Sequence, residues 1–204
     1  MITIIDYKVG NLGSIVNMLK KLGVKSKLAT TMEDINNAEK LILPGVGAFD
    51  SGIVNLRNTG LLDTLNKRVL EDKVPVLGIC LGAQLMCKKS EEGKEIGLGW
   101  FDAEVRKFNF PKESTFKVPH IGWNYTDIAK DSKLFTDMYE DPRFYFVHSY
   151  YMKASEKKDI LTETAYDFTF TSSLERENIV GVQFHPEKSH KFGMKLLENF
   201  VKHY

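Results

Sequence analysis

Residues 74–85 read VPVLGICLGAQL, and this stretch decides the fold. Val74 to Ile79 is an apolar run of the kind that is buried on both faces of a parallel sheet. Gly78 and Gly82 stand two residues before and two residues after Cys80, where small residues let the chain turn sharply from a strand into a helix. A turn of this form exposes its central residue, so the sequence predicts a cysteine nucleophile at the carboxyl end of a strand.

When the turn is taken alone, two interpretations of Cys80 remain: a reactive nucleophile and a simply buried residue. A thiol at the start of a helix faces the positive end of the helix, which favours the reactive thiolate. Free cysteines are about as often simply buried. Cys87, seven residues further along the predicted helix, is interpreted as a core residue.

Strand and helix patterns alternate upstream of this stretch. Apolar and β-branched runs predict strands at residues 2–5, 24–29 and 40–43. Apolar residues spaced three and four apart predict helices after residue 12 and after residue 50, with a break at Gly60. This alternation indicates a doubly wound α/β sheet.

Many short strand-like runs follow from residue 95 onward. They lie at residues 103–108, 144–147, 160–165, 168–171 and 179–184, and a final helix covers about residues 189–201. No repeat, low-complexity tract or linker divides the chain, so a single domain, residues 1–204, is predicted.

Charge and cysteine content argue against several classes of function. Lys plus Arg number 28 and Asp plus Glu 27, which gives no electrostatic case for nucleic acid or an anionic membrane as the main partner. The two cysteines offer neither a disulfide framework nor metal-ligand spacing, and no nucleotide or flavin motif is present, so no cofactor and no metal are expected. No signal peptide and no run of about 18 apolar residues is found, and the expected compartment is the cytoplasm.

A second polar motif, QFHPE at residues 183–187, follows the last predicted strand. In extended backbone residues i and i+2 point the same way, so His185 and Glu187 can lie on one side. A carboxylate beside an imidazole raises its basicity and fixes its tautomer. Alone, such a pair is more often a surface ion pair. At a sheet edge that also carries Cys80, it predicts a nucleophile, a base and an orienting acid.

The segment PGVG, residues 44–47, follows the third predicted strand. Glycines on both sides of Val46 make the backbone permissive, so an N–H there could be aimed at an oxyanion. Leu81 N–H, next to the nucleophile, would be the second donor. Taken alone, PGVG is more often a simple turn.

Together, GICLGAQL (78–85) and VGVQFHPEKS (180–189) resemble the class I, triad-type glutamine amidotransferases. Further stretches are similar to the HisH family, the glutaminase subunit of imidazole glycerol phosphate synthase. These stretches are IIDYKVGNLGSI (4–15), LILPGVGAFDSG (41–52), KSEEG (89–93), VPHIGWN (118–124) and RFYFVHSYY (143–151). The resemblance implies a single-domain α/β fold whose mostly parallel sheet has helices on both faces and an antiparallel extension in the second half.

The resemblance also implies a role for individual residues. The implied catalytic triad is Cys80, His185 and Glu187. The implied oxyanion hole comprises Val46, Gly47 and Leu81, the implied glutamine pocket includes Gly47, Gln84, Glu92, Ser149 and Tyr150, and the implied partner interface includes Asn11, Trp123, Tyr145 and Lys188.

These implied roles suit the chemistry of glutamine. Its amino group calls for an acid such as Glu92, and its α-carboxylate calls for backbone donors such as those of Ser149 and Tyr150. From the residues alone, Glu92 and its neighbour Glu91 read as a solvated helix end. From the residues alone, Trp123 and Tyr145 are likewise interpreted as aromatic residues of the core.

The implied partner is a (β/α)8-barrel cyclase, HisF in bacteria, which would form a heterodimer with this chain. In the family that barrel receives ammonia through its interior and closes the imidazole ring in histidine biosynthesis. This sequence departs from the family pattern at Lys8, where Gly is usual, and at Ala83 and Ile121, where Met is usual.

Other functions stay open beside this one. GNLGSI (10–15), GLGW (97–100) and EKSHKFGM (187–194) look more like a paralogous branch that supplies ammonia for amidination of bacterial surface sugars. Two alternatives of other classes are a non-catalytic docking or regulatory module and a self-contained cysteine peptidase or γ-glutamyl hydrolase.

Overall fold

Strands and helices alternate up to Cys80, and mainly strands follow, in a computed structural model that describes residues 1–204. The first part contains β1 (Ile2–Ile5), α1 (Leu12–Lys21), β2 (Ser26–Ala29), α2 (Met32–Asn36), β3 (Lys40–Leu43), α3 (Phe49–Asn58), α4 (Leu62–Asn66), β4 (Val76–Ile79) and α5 (Leu81–Leu85). The second part contains β5 (Lys89–Ser90), β6 (Ala103–Lys107), β7 (His120–Tyr125), β8 (Asp127–Ile128), β9 (Arg143–His148), β10 (Tyr150–Ala154), β11 (Ile160–Tyr166), β12 (Phe168–Arg176), β13 (Ile179–Val182) and α6 (His190–His203).

One eleven-stranded sheet runs through the molecule, with the main order β2-β1-β3-β4-β13-β12-β10-β6-β5. The first five strands of this order, β2-β1-β3-β4-β13, pair with their neighbours in parallel. Beyond β13 the pairings are antiparallel except for β5 with β6. β11 pairs with β12 and β8, and β7 pairs with β9 in a separate two-stranded sheet. The predicted α/β fold with an antiparallel extension is confirmed.

Both faces of the parallel half are covered. One buried hydrophobic cluster packs α3 and α5 against the sheet, and a second packs α1 and α6 against the opposite face. Every residue of β1, β4 and β13 is buried, which explains why these strands read as nearly continuous apolar runs. No helix is long and apolar enough to cross a lipid bilayer.

Some elements differ from those expected. The helical stripe predicted after Gly60 is divided, because α4 ends at Asn66 and the chain continues in one π-helical turn, Lys67–Glu71. The strands β7 and β10 are absent from the sequence-based prediction. β10 begins with Tyr150, which lines the site described next, and β7 directly follows Pro119, which lines it too.

Strand register places the two polar motifs at one sheet edge. In the parallel pair β4–β13, Gly78 lies opposite Gly181 and Ile79 lies opposite Val182. Cys80 directly follows β4 and Gln183 directly follows β13, so the two residues lie side by side at the carboxyl ends of neighbouring strands. Ligands of open α/β sheets bind at this edge.

Candidate active site

Cys80 lies in a sharp, glycine-dependent turn between β4 and α5. Its φ is 53° and its ψ −110°, a left-handed backbone conformation that is uncommon for a residue with a side chain. The turn is held by a hydrogen bond from Cys80 N–H to Val182 O of 2.8 Å. A Cβ atom on Gly82 would lie 1.8 Å from Leu43 O, so glycine is required there. The structure therefore shows the strand–turn–helix geometry predicted for a nucleophile.

Cys87 contrasts with Cys80. It is completely buried, its Sγ lies 3.9 Å from Ala83 O, and burial raises the pKa of its thiol. The prediction that Cys87 is a core residue is confirmed.

His185 and Glu187 form a buried hydrogen-bonded pair just after β13. His185 Nδ1 lies 2.7 Å from Glu187 Oε1, and the two side chains are 2% and 3% exposed. The backbone of His185 is fixed by its own N–H, which donates to Tyr145 O at 2.9 Å, and by the hydroxyl of Ser189, which donates to His185 O at 2.6 Å. The interpretation as a surface ion pair is therefore wrong.

The charge state of His185 is set by its neighbours. Burial alone would lower its pKa, but the interactions with Cys80 and Glu187 outweigh burial and raise the pKa of His185 to about 10. At neutral pH the imidazolium is therefore the favoured form. His185 Nε2 makes no hydrogen bond of regular geometry, so this nitrogen is free to exchange a proton with a group at Cys80.

A cavity of about 330 Å³ opens directly over Cys80. Its lining residues are Val46, Gly47, Cys80, Leu81, Gln84, Glu92, Pro119, Val147, His148, Ser149, Tyr150 and His185. The structure thus brings every residue predicted for the oxyanion hole and the glutamine pocket to one cavity, with Glu187 behind His185. Sequence reasoning missed Pro119, Val147 and His148, although all three lie within stretches that carry the family resemblance.

Glu92 is held against the first turn of α3. Its Oε2 accepts a hydrogen bond of 2.9 Å from Phe49 N–H, a favourable position for a carboxylate at a helix N-terminus. The acidic pair lies in a turn after β5 rather than at the end of a helix, and Glu91 binds Arg106 at 2.7 Å. The interpretation as a solvated helix end is therefore wrong.

One of the predicted oxyanion donors, Leu81 N–H, is engaged within the protein. Leu81 N–H donates to Gly45 O at 3.3 Å, so this N–H is not free in the conformation described. The preceding peptide is anchored by Tyr7, whose buried hydroxyl donates to Pro44 O. A Cβ atom on Gly45 would lie 2.6 Å from that hydroxyl oxygen, which explains the glycine.

The residues predicted to form a partner interface lie on the surface around the triad. Asn11 is exposed and caps α1 through its Oδ1, which accepts from Ser14 N–H at 3.3 Å. Trp123 is 43% exposed and lies directly opposite Tyr145 in the β7–β9 pair. Lys188 Nζ stands 5.7 Å from the centre of the Tyr145 ring. The interpretation of Trp123 as a core aromatic is wrong.

Two buried histidines lie beside the cavity: His148 lines it, and His120 contacts His148. His120 Nδ1 lies 3.0 Å from His148 Nε2, and His148 Nδ1 lies 2.7 Å from Tyr150 O. Because a carbonyl can only accept, His148 Nδ1 carries a proton, and its Nε2 accepts from His120 Nδ1–H. Burial lowers the pKa of His120 to about 4 and that of His148 to about 3, so both are neutral at pH 7.

Acid should therefore destabilise the protein through this pair. Histidines of the unfolded chain bind protons near pH 6.5, whereas the folded pair binds them only near pH 4 and 3. The stabilisation is complete above pH 6.5 and is lost as pH falls towards 4. We expect each histidine to lose on the order of 3 kcal/mol of its contribution to the free energy of unfolding across this window, roughly 6 kcal/mol for the pair.

Urea titrations between pH 4 and 7 would measure this loss. Replacing both histidines by glutamine should flatten the pH dependence, and His203→Gln, at an exposed position of α6, is the matched control. His185, with its raised pKa, is protonated in both states below about pH 5.5, so it adds no slope in the acidic part of this range. Equal acid sensitivity in the double variant and the unmodified protein would contradict the assignment.

Comparison with family models and curated relatives gives matches over almost the whole chain. Residues 3–204 match the model described as glutamine amidotransferase class-I. The chain is 54% identical to imidazole glycerol phosphate synthase subunit HisH 2 of Methanococcus maripaludis and 50% identical to the protein of that name from Pseudomonas aeruginosa, with 99% of each chain covered. It is 45% identical to the HisH subunit of Leptospira interrogans, over 98% of this chain and 99% of the relative.

Solved structures with low sequence identity share the fold. A glutamine amidotransferase crystal structure superposes with a TM-score of 0.74 at 18% identity, covering 98% of this chain and 97% of the other. The structure of PurLQS from Thermotoga maritima gives a TM-score of 0.74 at 16% identity, covering 98% of this chain and 96% of the other.

Proposed function

The chain belongs to the class-I glutamine amidotransferases, and from that premise we propose that it is the glutaminase subunit of an imidazole glycerol phosphate synthase. One observation carries the proposal. The buried pair of His185 and Glu187, joined at 2.7 Å, shares a cavity with a cysteine held in a strained turn. An intact nucleophile, base and orienting acid argue against a non-catalytic docking module.

The proposed reaction uses Cys80 as a thiolate paired with the His185 imidazolium. The sulfur attacks the side-chain amide carbon of glutamine, and a C–S bond forms. When the C–N bond breaks, His185 Nε2 gives its proton to the departing ammonia. His185 then takes a proton from water, and the resulting hydroxide attacks the γ-glutamyl thioester. The C–S bond breaks, glutamate is released, and the Cys80 thiolate with its His185 imidazolium is restored. Glu187 keeps the imidazole oriented through both steps.

Stabilisation of the tetrahedral intermediate requires a change in the PGVG segment. The peptide between Gly45 and Val46 turns its carbonyl oxygen to Leu81 N–H. We propose that a flip of this peptide frees Leu81 N–H and directs Val46 N–H to the same place. Gly47, with φ 104°, supplies the backbone freedom that such a flip needs. Two N–H donors would then face the oxyanion.

Glutamine is proposed to bind in the cavity by its charged ends. Glu92, fixed by Phe49 N–H, offers a carboxylate for the amino group, and the Ser149–Tyr150 backbone offers donors for the α-carboxylate. Gln84 lines the same cavity, with its Nε2 3.1 Å from Tyr150 O. A volume of about 330 Å³ suits a single amino acid and leaves little room for a peptide, which disfavours the peptidase alternative.

The ammonia acceptor is proposed to be the substrate of a barrel partner in histidine biosynthesis. The relatives are named as subunits of imidazole glycerol phosphate synthase, which supports a heterodimer. We propose a HisF-type (β/α)8-barrel cyclase as the partner and the cytoplasm as the compartment. The contact face would be the surface that carries Asn11, Trp123, Tyr145 and Lys188. The proposed unit is one glutamine amidotransferase domain, residues 1–204.

Amidination of a surface sugar is the second candidate for the same chemistry. Two of the relatives carry the number 2 in their names, which favours a duplicated gene family in those organisms. Lys8 and Ile121, which depart from the family pattern, are both exposed. Changes at an exposed face suit a different partner rather than a different reaction.

Two linked experiments test the proposal. The isolated chain is expected to release little ammonia from glutamine. Addition of its cognate barrel cyclase is expected to stimulate release at least about 100-fold, because Leu81 N–H must first be freed from Gly45 O. Expression of the chain in a histidine auxotroph that lacks its own glutaminase subunit should restore growth. Stimulated glutaminase activity without rescue would point to the surface-sugar pathway, and no glutaminase activity under any condition would overturn the proposed chemistry.

A further inference from the structure

A chain of hydrogen bonds connects the Tyr150 carbonyl with the sulfur of Cys80. Gln84 Nε2 lies 3.1 Å from Tyr150 O and 3.0 Å from Gln183 Oε1. Gln183 Nε2 lies 3.8 Å from Cys80 Sγ, within the range of hydrogen bonds to sulfur. None of these contacts is used in the reaction described above.

The direction of each hydrogen bond follows from one fixed group. Tyr150 O is a backbone carbonyl and can only accept, so the Gln84 atom beside it must be the NH₂ group. That NH₂ group has two hydrogens, and the second points to Gln183, whose facing atom must therefore be Oε1. The other end of the Gln183 amide, its NH₂ group, is thereby directed at Cys80. An amide orientation that is normally ambiguous is thus determined by the network.

Gln183 is held in place by burial and by its backbone hydrogen bond. The residue is completely buried and lies next to Cys80 at the ends of the paired strands β13 and β4. Its backbone N–H donates to Ser172 O at 2.8 Å, which anchors it to β12 as well. A buried donor aimed at a sulfur stabilises the charged thiolate more than the neutral thiol.

We propose that Gln183 stabilises the Cys80 thiolate by donating an N–H···S hydrogen bond whose direction is fixed, through Gln84, by the Tyr150 carbonyl. This role rests on the proposed function and adds a second stabilising contact to that of His185. The helix after Cys80, Leu81–Leu85, has only five residues, so its dipole is a weak source of the same effect.

Two other titratable groups face Cys80. His185 approaches from the segment after β13, and Tyr7 approaches from the end of β1. Burial raises the pKa of Tyr7, so Tyr7 stays neutral and cannot supply a compensating charge. His185 supplies the positive charge in all the variants proposed below.

The test is the pH dependence of Cys80 alkylation by iodoacetamide, which reports the thiolate without requiring turnover. Gln183→Met removes the donor and nearly preserves the side-chain volume. We expect the midpoint of the alkylation profile to rise by about one pH unit, which corresponds to about tenfold slower alkylation below the midpoint. Gln183→Glu, which places a carboxylate beside the sulfur, should raise the midpoint further.

Two further variants separate a positioning role from general damage. Gln84→Met leaves Gln183 in place but removes the contact that orients it, and it should give a smaller upward shift. Asn199→Leu removes a different buried amide, whose Nδ2 donates to Leu134 O and Thr136 O, and it should leave the profile unchanged. Mass spectrometry of the alkylated site distinguishes Cys80 from the buried Cys87.

The outcomes are distinct. An unchanged midpoint in folded Gln183→Met, checked by circular dichroism, would overturn the proposal. An equal shift in Asn199→Leu would reduce Gln183 to a structural residue and would also overturn it. Failure of the proposed function is seen separately, as ammonia release that survives the loss of Cys80.

Discussion

Replacing Cys80 by alanine is expected to lower partner-stimulated ammonia release from glutamine by at least about 10⁴-fold, since loss of a nucleophile removes the covalent pathway as a whole. The substitution removes the only thiol in the cavity and leaves His185 without one of its two charge partners. Because a residue with φ of 53° is strained with or without sulfur, alanine should keep the fold and the partner affinity. Coupled glutamate dehydrogenase assays measure the released ammonia and glutamate.

Cys87→Ala is the matched control for this experiment. Cys87 contacts only the core, so its loss is expected to change stability slightly and turnover by less than about twofold. A glutamine-like diazo-ketone should label Cys80 and spare Cys87, whose pKa is raised by burial. Ammonia release that persists in Cys80→Ala would remove the nucleophile assignment, and labelling of both cysteines would show that the cavity does not select glutamine analogues.

The arrangement of the proposed triad residues could be predicted from the sequence because its determinants are local. Two glycines around Cys80 define the turn, and a spacing of two residues places His185 and Glu187 together. Alternation of strands and helices then predicts that both segments end at one sheet edge, and the register of β4 with β13 agrees. Pattern and topology support each other here, so little depends on long-range detail.

The strand β7 was not predictable from its hydrophobic pattern, for a physical reason. On this strand the apolar Ile121, Trp123 and Tyr125 are exposed, whereas the polar His120 is buried. A strand with this inverted arrangement lacks the usual relation between hydrophobicity and burial, and exposed apolar side chains of this kind often mark binding surfaces. The deviation from the core pattern therefore supports the proposed partner interface at this strand.

Polar contacts across the site depend on tertiary structure. Gln84 and Gln183 are 99 residues apart, and the hydrogen bond between them requires the register of several strands. Leu81 N–H is predicted as an oxyanion donor from its place next to Cys80, yet its bond to Gly45 O follows from the packing of two loops. Sequence motifs identify the chemical groups of a site, and tertiary packing determines which of these groups are free of hydrogen bonds within the protein.

Replacing Glu187 by glutamine is expected to lower partner-stimulated ammonia release by about 10³-fold, in the range found when the orienting acid of a triad is neutralised. Glu187 Oε1 lies 2.7 Å from His185 Nδ1 and raises the proton affinity of the imidazole. Neutralising Glu187 therefore lowers the pKa of His185 from about 10. The glutamine NH₂ group can also donate to Nδ1, which favours the tautomer that carries its proton on Nε2 but no positive charge. The thiolate then loses its counter-charge, and the departing ammonia loses the acidic imidazolium as its proton donor.

NMR titration of the His185 ring measures this change directly, and its sign can be checked by stability. In the unmodified protein the folded state holds a proton on His185 between pH 6.5 and about 10, so this stabilisation is present below pH 6.5 and is lost as pH rises through about 10. Glu187→Gln should weaken that alkaline loss. Glu198→Gln, at an exposed ion pair with Lys202, is the matched control and should leave both measurements unchanged. A His185 titration that stays near pH 10 in Glu187→Gln would show that Cys80 alone holds the imidazolium, and the proposed acid would then be a packing residue.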